Sequence, residues 1–365
     1  MNVNLSLLIL GTFVFATVTA LPLALSRRTF GKFALTTVLA GGGVAIANKV
    51  FLVDGLAPPY QPAKDSLAGK TILITGGNTG IGAESAKRLA LAGSRVIITS
   101  RSAAKGENAV RKIKEASGND DVYYLPLDLT DLASVLKFDK VFQEAFGSES
   151  KIDVLLNNAG VMAIPDRELT KDGFEKQFAT NHLGHFALTK VLYPLLNQES
   201  GRIINVSSTA HSIARAGIDF GDVARREKGS YAPWSAYGDS KLANILFTNE
   251  LNRRSTGPKA FSLHPGVVRT ELGRYLFPEE ANKNIVKEIA LKTASYGAML
   301  FTKDVEHGAT TSVFLASFAN DDDTASSSST YFSDSKPKKL EKFARDDESA
   351  RKLWELSEAL IKDIM

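Results

Sequence analysis

The sequence contains no cysteine, and this absence excludes several kinds of chemistry. A chain without cysteine has no disulfide bond, no thiol nucleophile and no cysteine-ligated metal site. Its five histidines show no metal-ligand spacing such as HExxH, so the sequence predicts no metal site. Any catalysis must therefore rest on groups other than a thiol or a cysteine-ligated metal.

An excess of charge of one sign is also missing. The 44 Lys and Arg residues stand against 40 Asp and Glu residues, the formal net charge is +4, and the two signs are interspersed along the chain. Without a basic run, nucleic acid is not an expected partner. The composition, 44% hydrophobic and 23% charged, is typical of a globular protein. The length of 365 residues allows one large α/β domain or several smaller ones.

The first 53 residues are predicted to form a hydrophobic leader. No side chain from Leu5 to Leu25 is charged, and this run is close to the roughly 20 residues of a helix that crosses a bilayer. We interpret it as a membrane anchor. A cleaved signal peptide is the alternative, because Val18-Thr19-Ala20 resembles a cleavage site although residues 1–4 contain no basic side chain.

The residues after this run predict where the rest of the chain lies. Basic residues at 27–32 would stay on the cytoplasmic side, which predicts an endoplasmic reticulum protein with a cytoplasmic-facing domain. A second apolar stretch, Phe33 to Val53, fits a weak second span, an interfacial helix or part of a two-part plastid leader, which is the alternative localisation. Residues 54–66 contain three prolines and are predicted to be a linker to a domain at 67–362.

A glycine-rich turn between a strand and a helix predicts a nucleotide site. The run from Lys70 to Thr75 is rich in β-branched residues, and good helix formers follow from Ala83 to Ala92. The glycines between them let the backbone approach a pyrophosphate at the amino terminus of the helix, and Arg95 to Thr99 completes a βαβ unit. The predicted cofactor contacts in this turn are Gly76, Asn78, Thr79, Gly80 and Ile81.

The residues after the second strand favour NADP(H) over NAD(H). An NAD site usually has Asp or Glu there to hold the ribose 2′-hydroxyl, whereas this chain has Ser100, Arg101 and then Lys105. A guanidinium group suits a 2′-phosphate. We therefore predict that Arg101 and Lys105 bind that phosphate.

Further strands and helices alternate along the rest of the chain. The additional strands are predicted at 122–127, 152–156, 202–206 and 260–263. Asp128 follows the first of these and is expected near the adenine, while Asn158 and Gly160 follow the second and are expected at the cofactor. The pattern predicts a single α/β domain, a Rossmann-type doubly wound parallel sheet with ligands at the carboxyl ends of its strands.

Tyr237 and Lys241 form a candidate acid–base pair. Residues four apart share one face of a helix, and an ammonium group beside a phenol lowers the pKa of the phenol from about 10. A tyrosine and a lysine at this spacing also occur by chance. In that alternative, an exposed tyrosine simply packs on the aliphatic part of the lysine side chain. The glycine turn, the Asn-Asn-Ala-Gly segment at 157–160 and the serine at 208 argue together against chance.

With these motifs, the chain from about 67 to 362 resembles the short-chain dehydrogenase/reductase superfamily. The resemblance implies a catalytic tetrad of Asn181, Ser208, Tyr237 and Lys241. Tyr237 would be the general acid and base, and Ser208 would bond to the substrate oxygen. Lys241 would hold the nicotinamide ribose and tune Tyr237, so both residues also belong to the cofactor site. Asn181 would anchor a water of the proton relay.

Two pairs of polar residues near the tetrad need separate interpretations. Ser208 is preferred to Ser207 because the second serine of the pair is the usual catalytic residue of the family, and the alternation of a strand points the two to opposite sides. His182 and His185 are three residues apart, but no acidic or third ligand is evident nearby. We interpret both histidines as structural.

A finer resemblance is to the retinol dehydrogenase-like branch, which also includes a chloroplast import-translocon dehydrogenase and the WW-domain oxidoreductases. Segments 177–186, 240–247 and 264–272 carry it. Within the last segment, the resemblance implies that Thr270 contacts the carboxamide or phosphate of the cofactor. The chain departs from these relatives at Ser335, where they commonly have cysteine.

The expected substrate is an apolar retinoid-, lipid- or steroid-like carbonyl compound or alcohol. The long connection between Ser208 and Tyr237 and the segment from Gly273 to Ala298 both contain aromatic residues and are predicted to wall the pocket. One alternative is a nucleotide-sensing interaction protein of a membrane complex. Another is a pigment reductase of the same fold, which the absence of cysteine disfavours. The sequence predicts no oligomeric state.

Overall fold

Eight strands form one sheet in the computed structural model, which describes residues 58–223, 227, 229–269, 303–317, 329–362 and 364. The strands are β1 Thr71–Thr75, β2 Arg95–Ser100, β3 Val122–Pro126, β4 Val154–Asn157, β5 Arg202–Val206, β6 Lys259–Leu263, β7 Tyr331–Ser333 and β8 Lys336–Pro337. Their spatial order is β3-β2-β1-β4-β5-β6-β7-β8. The first seven are parallel, and β8 runs antiparallel to β7.

Helices connect these strands. The helices among the described residues are α1 Gly80–Leu91, α2 Ala103–Ser117, α3 Leu132–Val135, α4 Phe138–Phe146, α5 Lys176–Phe178, α6 Gly184–Leu192, α7 Pro233–Arg254, α8 Val305–Ala316 and α9 Asp347–Lys362. A π-helical turn, Ala179–Leu183, joins α5 to α6, and a 3₁₀ helix, Thr209–Ala214, follows β5. The doubly wound parallel sheet predicted from the sequence is therefore confirmed.

The central strands β1, β4 and β5 are buried along their whole length and contain runs of apolar residues, because both of their faces are covered. Leu73 of β1 pairs in register with Leu155 of β4 and packs in one hydrophobic cluster. Its neighbours Ile72 and Ile74 point to the opposite face and pack in a second cluster. Buried parallel strands require such continuous apolar runs.

The direction of winding reverses between β1 and β4, and this reversal positions the site. The chain moves outward from β1 through β2 to β3, and then β4 pairs on the other side of β1. The loops after β1 and β4 therefore diverge and leave a crevice at their carboxyl ends, where doubly wound sheets bind ligands.

Some predictions fall on other parts of the chain. The leader at 1–53, the predicted pocket wall at 273–298 and the candidate cofactor contact Thr270 lie outside the described residues. Among the helices that the structure does describe, none combines the length and the apolar character needed to cross a bilayer. The described part of the predicted linker packs on the domain: the Tyr60 hydroxyl bonds to Ser317 at 3.0 Å, and its ring meets Phe314 edge to face.

Candidate active site

The glycine turn after β1 is shaped for close backbone approach. Gly76 and Gly80 have φ angles of +64° and +56°, which favour glycine. A Cβ atom on Gly82 would lie 2.4 Å from the carbonyl oxygen of Gly76 and 2.5 Å from the amide nitrogen of Asn158, so a side chain there would displace the turn. No side chain caps α1 at Thr79. Its first amides therefore remain free of side-chain acceptors and suit an anionic group.

The remaining predicted contacts of this turn flank those amides. Asn78 and Ile81 are half-buried, and Thr79 is exposed. Asn158 holds the turn in place, because its side-chain nitrogen donates to the carbonyl oxygen of Thr75 at 2.9 Å. The side-chain amide of Asn158 thus helps to hold the shape of the predicted cofactor turn.

Gly160 lies against the predicted tetrad. A Cβ atom there would be 3.0 Å from Oδ1 of Asn181 and 3.6 Å from Nζ of Lys241. A side chain at this position would crowd Asn181, so glycine favours the close approach of the segment after β4 to these groups. This approach brings the cofactor-side loop and the tetrad into one site.

Two cationic side chains stand at the end of β2. Arg101 and Lys105 are exposed, and neither forms an ion pair with a described residue. Ser102 between them caps α2 by accepting the backbone amide of Lys105 at 3.4 Å. After β3, one carboxylate oxygen of Asp128 accepts the amide and the hydroxyl of Thr130, at 2.9 and 2.7 Å. Asp128 therefore shapes its own loop.

Helix α7 brings Tyr237 and Lys241 to Ser208 at the end of β5. Burial raises the pKa of Tyr237 to about 12, and a hydrogen bond with the Ser208 hydroxyl acts in the opposite direction. Burial also lowers the pKa of Lys241 to about 8. Nζ of Lys241 donates to the carbonyl oxygen of Val206 at 3.0 Å and lies 5.7 Å from the centre of the Tyr237 ring.

This electrostatic balance differs from the one expected from the sequence. The expected effect was a lower pKa of Tyr237 beside the ammonium of Lys241, whereas burial dominates in the protein alone and raises that pKa. Desolvation disfavours the phenolate, and the ammonium of Lys241 donates a hydrogen bond to the backbone carbonyl of Val206 and not to the phenol. A positive charge brought into the site by a ligand would shift the balance back toward the phenolate.

Asn181 joins the site through a π-helical turn, a feature that is frequent at functional sites. Its Oδ1 accepts the amide of Val161 at 2.8 Å. Its Nδ2 donates to the carbonyl of Val161 and to the hydroxyl of Ser240, both at 2.9 Å. Both polar atoms of the side chain thus have protein partners, and the backbone carbonyl is the other polar group that Asn181 offers in the site.

The two serines after β5 have different partners. Ser207 is buried and donates to the carbonyl of Lys241 at 2.7 Å. Ser208 is partly exposed and caps the following 3₁₀ helix, and its own carbonyl accepts from Nδ1 of His211 at 2.7 Å. Nε2 of His211 lies 3.2 Å from a carboxylate oxygen of Glu341. Sequence reasoning missed this link, since Glu341 is 130 residues away.

His182 and His185 face different elements. Nε2 of His182 bonds to the hydroxyl of Ser357 in α9 at 2.9 Å. Nε2 of His185 bonds to the hydroxyl of Thr75 at 2.8 Å, and its Nδ1 lies 3.0 Å from the carbonyl oxygen of Asn181. Within the described ranges, no group of three or more His, Asp or Glu residues is arranged to hold a metal ion.

Comparisons with known proteins agree with this geometry. The short chain dehydrogenase family model matches residues 70–219. Human retinol dehydrogenase 13 is 38% identical and aligns over 92% of this chain and 96% of its own length. Mouse retinol dehydrogenase 12 is 39% identical over 80% of this chain and 86% of its own.

Solved structures show the same fold. An uncharacterized protein from Mycobacterium paratuberculosis has a TM-score of 0.61 at 34% identity, with 83% of this chain and 98% of the other covered. Salutaridine reductase from Papaver somniferum has a TM-score of 0.51 at 24% identity over 73% of this chain and 99% of its own, which is a likeness of fold.

Fold and site thus define an oxidoreductase of the short-chain dehydrogenase/reductase family, which acts on CH–OH and C=O groups with a nicotinamide cofactor. Within that family, the chain belongs to the retinol dehydrogenase-like branch.

Proposed function

We propose that the protein is an NADP(H)-dependent oxidoreductase whose substrate is an apolar, retinoid-, lipid- or steroid-like carbonyl compound or alcohol. The observation that carries the chemistry is the buried Tyr237, bonded to Ser208 and one helical turn from Lys241. Such a group donates or accepts a proton at a substrate oxygen.

Each residue of the tetrad has a separate task in this proposal. Ser208 orients the substrate oxygen, and Tyr237 delivers the proton to it during reduction or removes it during oxidation. Lys241 holds the ribose of the cofactor and places a positive charge near the phenol. Asn181 offers its backbone carbonyl to a water in the path of the proton. The bound cofactor supplies or accepts the hydride.

The site fits a dinucleotide with a 2′-phosphate. The free first amides of α1 and the close approach at Gly82 suit the pyrophosphate. At the end of β2, Arg101 and Lys105 provide two positive charges, without an ion-pair partner among the described residues, where NAD-dependent sites carry an acidic residue. A phosphate there gains charge-assisted hydrogen bonds that a ribose hydroxyl does not.

Exposed apolar side chains near Tyr237 support an apolar substrate. Trp234 is 45% exposed and meets the Tyr237 ring edge to face, with centroids 6.1 Å apart. Ile213 is 48% exposed and lies against Gly238, the residue after Tyr237. Large exposed apolar side chains beside Tyr237 favour an apolar ligand. The names of the relatives, retinol dehydrogenases, point in the same direction. The predicted membrane anchor would bring the site close to substrates that partition into lipid.

A substrate panel tests this proposal directly. The full chain is supplied with NADPH or NADH and with retinal, medium-chain aldehydes or steroid ketones, and oxidation of the nucleotide is followed by absorbance. We expect turnover with NADPH and at least one apolar carbonyl compound, and much slower turnover with NADH. NADPH binding without turnover of any compound would refute the proposal and favour a nucleotide-sensing protein.

The pKa of Lys241 predicts how cofactor binding depends on pH. Because burial lowers this pKa to about 8, the ammonium loses its proton in the free protein as the pH rises through that value. A ligand held by the ammonium must then restore the proton. We expect the dissociation constant of NADPH to rise by up to about tenfold by pH 9, measured by fluorescence titration.

Lys241→Met is the control for this pH effect, because it keeps most of the side-chain volume and has no titrating group. Its affinity for NADPH should be lower at neutral pH and should lack the step near pH 8. A wild-type profile that the substitution leaves unchanged would show that another group titrates.

A further inference from the structure

His185 connects two parts of the site that lie on different elements. The imidazole is 1% exposed. On one side it bonds to Thr75, the last residue of β1 before the glycine turn. On the other side it reaches the backbone carbonyl of Asn181 in the π-helical turn. One side chain thus spans the cofactor turn and the tetrad.

The donors and acceptors allow one consistent placement of protons. A backbone carbonyl only accepts, so Nδ1 of His185 carries the proton that it donates to Asn181. The Thr75 oxygen already accepts the backbone amides of 158–159, at 2.9 and 3.0 Å. Its single proton goes to Nε2 of His185 at 2.8 Å, since the alternative acceptor, the carbonyl of Leu156, is 3.4 Å away.

The surroundings of His185 favour this neutral form. Burial lowers its pKa to about 4, against the opposing effect of the hydrogen bond to Asn181. The positive charge of Lys241 lowers the pKa further. The imidazole therefore stays neutral at physiological pH, with one nitrogen donating and the other accepting.

The hydrogen bond from His185 fixes the orientation of the backbone carbonyl of Asn181. Both polar atoms of the Asn181 side chain already have protein partners, in Val161 and Ser240. A carbonyl oxygen has two lone pairs, and the bond from His185 occupies one, which restricts the direction from which a donor can reach the second lone pair. The orientation of that second lone pair decides where a water of the proton path sits.

We propose that His185 is a positioning residue: in its Nδ1–H form it orients the carbonyl of Asn181 and couples it, through Thr75, to the glycine turn. This inference rests on the proposed function, in which Asn181 serves the proton path and the turn holds the cofactor. Its two hydrogen bonds should then affect two different kinetic constants.

Two substitutions separate these bonds. His185→Asn places an amide nitrogen near the position of Nδ1, so it keeps the bond to Asn181 and loses the bond to Thr75. His185→Gln places its amide near the position of Nε2, so it keeps the bond to Thr75 and loses the bond to Asn181. His182 supplies the matched control, because it is equally buried on the same helical run but bonds to Ser357 of the terminal helix.

The expected results differ between the two positions. With NADPH and the best carbonyl substrate, His185→Gln should lower kcat about tenfold and leave the KM for NADPH within about twofold, the scale of one lost hydrogen bond. His185→Asn should keep kcat within about threefold of the wild type and raise the KM for NADPH. His182→Gln should lower the melting temperature and leave both constants unchanged.

A second measurement does not depend on turnover. Nitrogen-15 NMR of the imidazoles should show His185 as the neutral Nδ1–H tautomer between about pH 6 and 8, and Thr75→Val should perturb its Nε2 resonance. An Nε2–H tautomer or an imidazolium would overturn the inference. Equal kinetic losses in His185→Gln, His185→Asn and His182→Gln would overturn it as well. If the wild type reduces no carbonyl compound, the proposed function fails, and the tautomer alone decides whether His185 bridges Thr75 and Asn181.

Discussion

Tyr237→Phe should lower kcat about a thousandfold while the dissociation constant of NADPH changes by less than about threefold. The substitution removes the phenolic oxygen that exchanges a proton with the substrate and leaves the buried ring in place. General acid–base groups contribute about 10² to 10⁴ to the rate, which sets the size of the expected loss. Steady-state turnover and fluorescence titration of NADPH measure the two quantities.

Tyr193→Phe is the matched control for this experiment. Its hydroxyl bonds to Ser255, away from the tetrad, so the same chemical change there should leave turnover unaltered. Near wild-type turnover in Tyr237→Phe would show that the tetrad is assigned incorrectly.

Arg101→Ala should weaken NADPH binding about 10- to 100-fold and leave NADH binding unchanged, because only NADPH carries the 2′-phosphate. A charge-assisted hydrogen bond contributes about 1.5–3 kcal/mol, and each 1.4 kcal/mol is a factor of ten. Arg101 is exposed and has no ion-pair partner among the described residues, so its removal should not disturb folding. Isothermal titration with both nucleotides gives the comparison.

Arg111→Ala controls for a general loss of positive charge. Arg111 lies on α2, the helix that begins two residues after Arg101, is exposed and pairs with Glu115. Its loss should change the affinity for neither nucleotide by more than about twofold. An equal loss of affinity for NADPH and NADH in Arg101→Ala would mean that this arginine does not bind the 2′-phosphate.

The glycine turn and the strands around it could be predicted from the sequence because their signals are local. The run from Thr71 to Thr75 is rich in apolar and β-branched residues, and glycines follow it directly. The signals for strand, turn and helix therefore all lie within about 20 consecutive residues. The short strands β7 and β8, with three and two residues, carry no such periodicity. β7 forms on the edge that β6 offers, and β8 pairs in turn with β7.

The residues of the candidate site could be predicted from the sequence, but the hydrogen bonds between them could not. Tyr237 and Lys241 show a four-residue spacing, whereas Thr75 and His185 are 110 residues apart and meet only after the sheet has formed. The same limit applies to the pKa of Tyr237, which depends on how deeply α7 is buried. Spacing suggested that Lys241 would lower it, and burial reversed the direction.

The protein partners of Asn158 could not be predicted for a similar reason. Its position after a buried strand predicts a cofactor contact, and in the structure its side-chain amide also donates to the backbone of Thr75 and Gly76. A residue type and its place in the chain indicate which edge of the sheet it reaches. They do not indicate which of the partners at that edge it selects.

The contact between α9 and the middle of the chain has a consequence for biosynthesis. Trp354 of α9 packs edge to face on Phe186 and lies against Phe247, and Ser357 bonds to the buried His182. These aromatic partners leave the ribosome at least 100 residues before the first residue of the helix that covers them. During translation Phe186 and Phe247 therefore stay exposed to solvent until α9 has been synthesised and can pack on them. We expect the nascent chain to present this apolar surface to chaperones in the meantime.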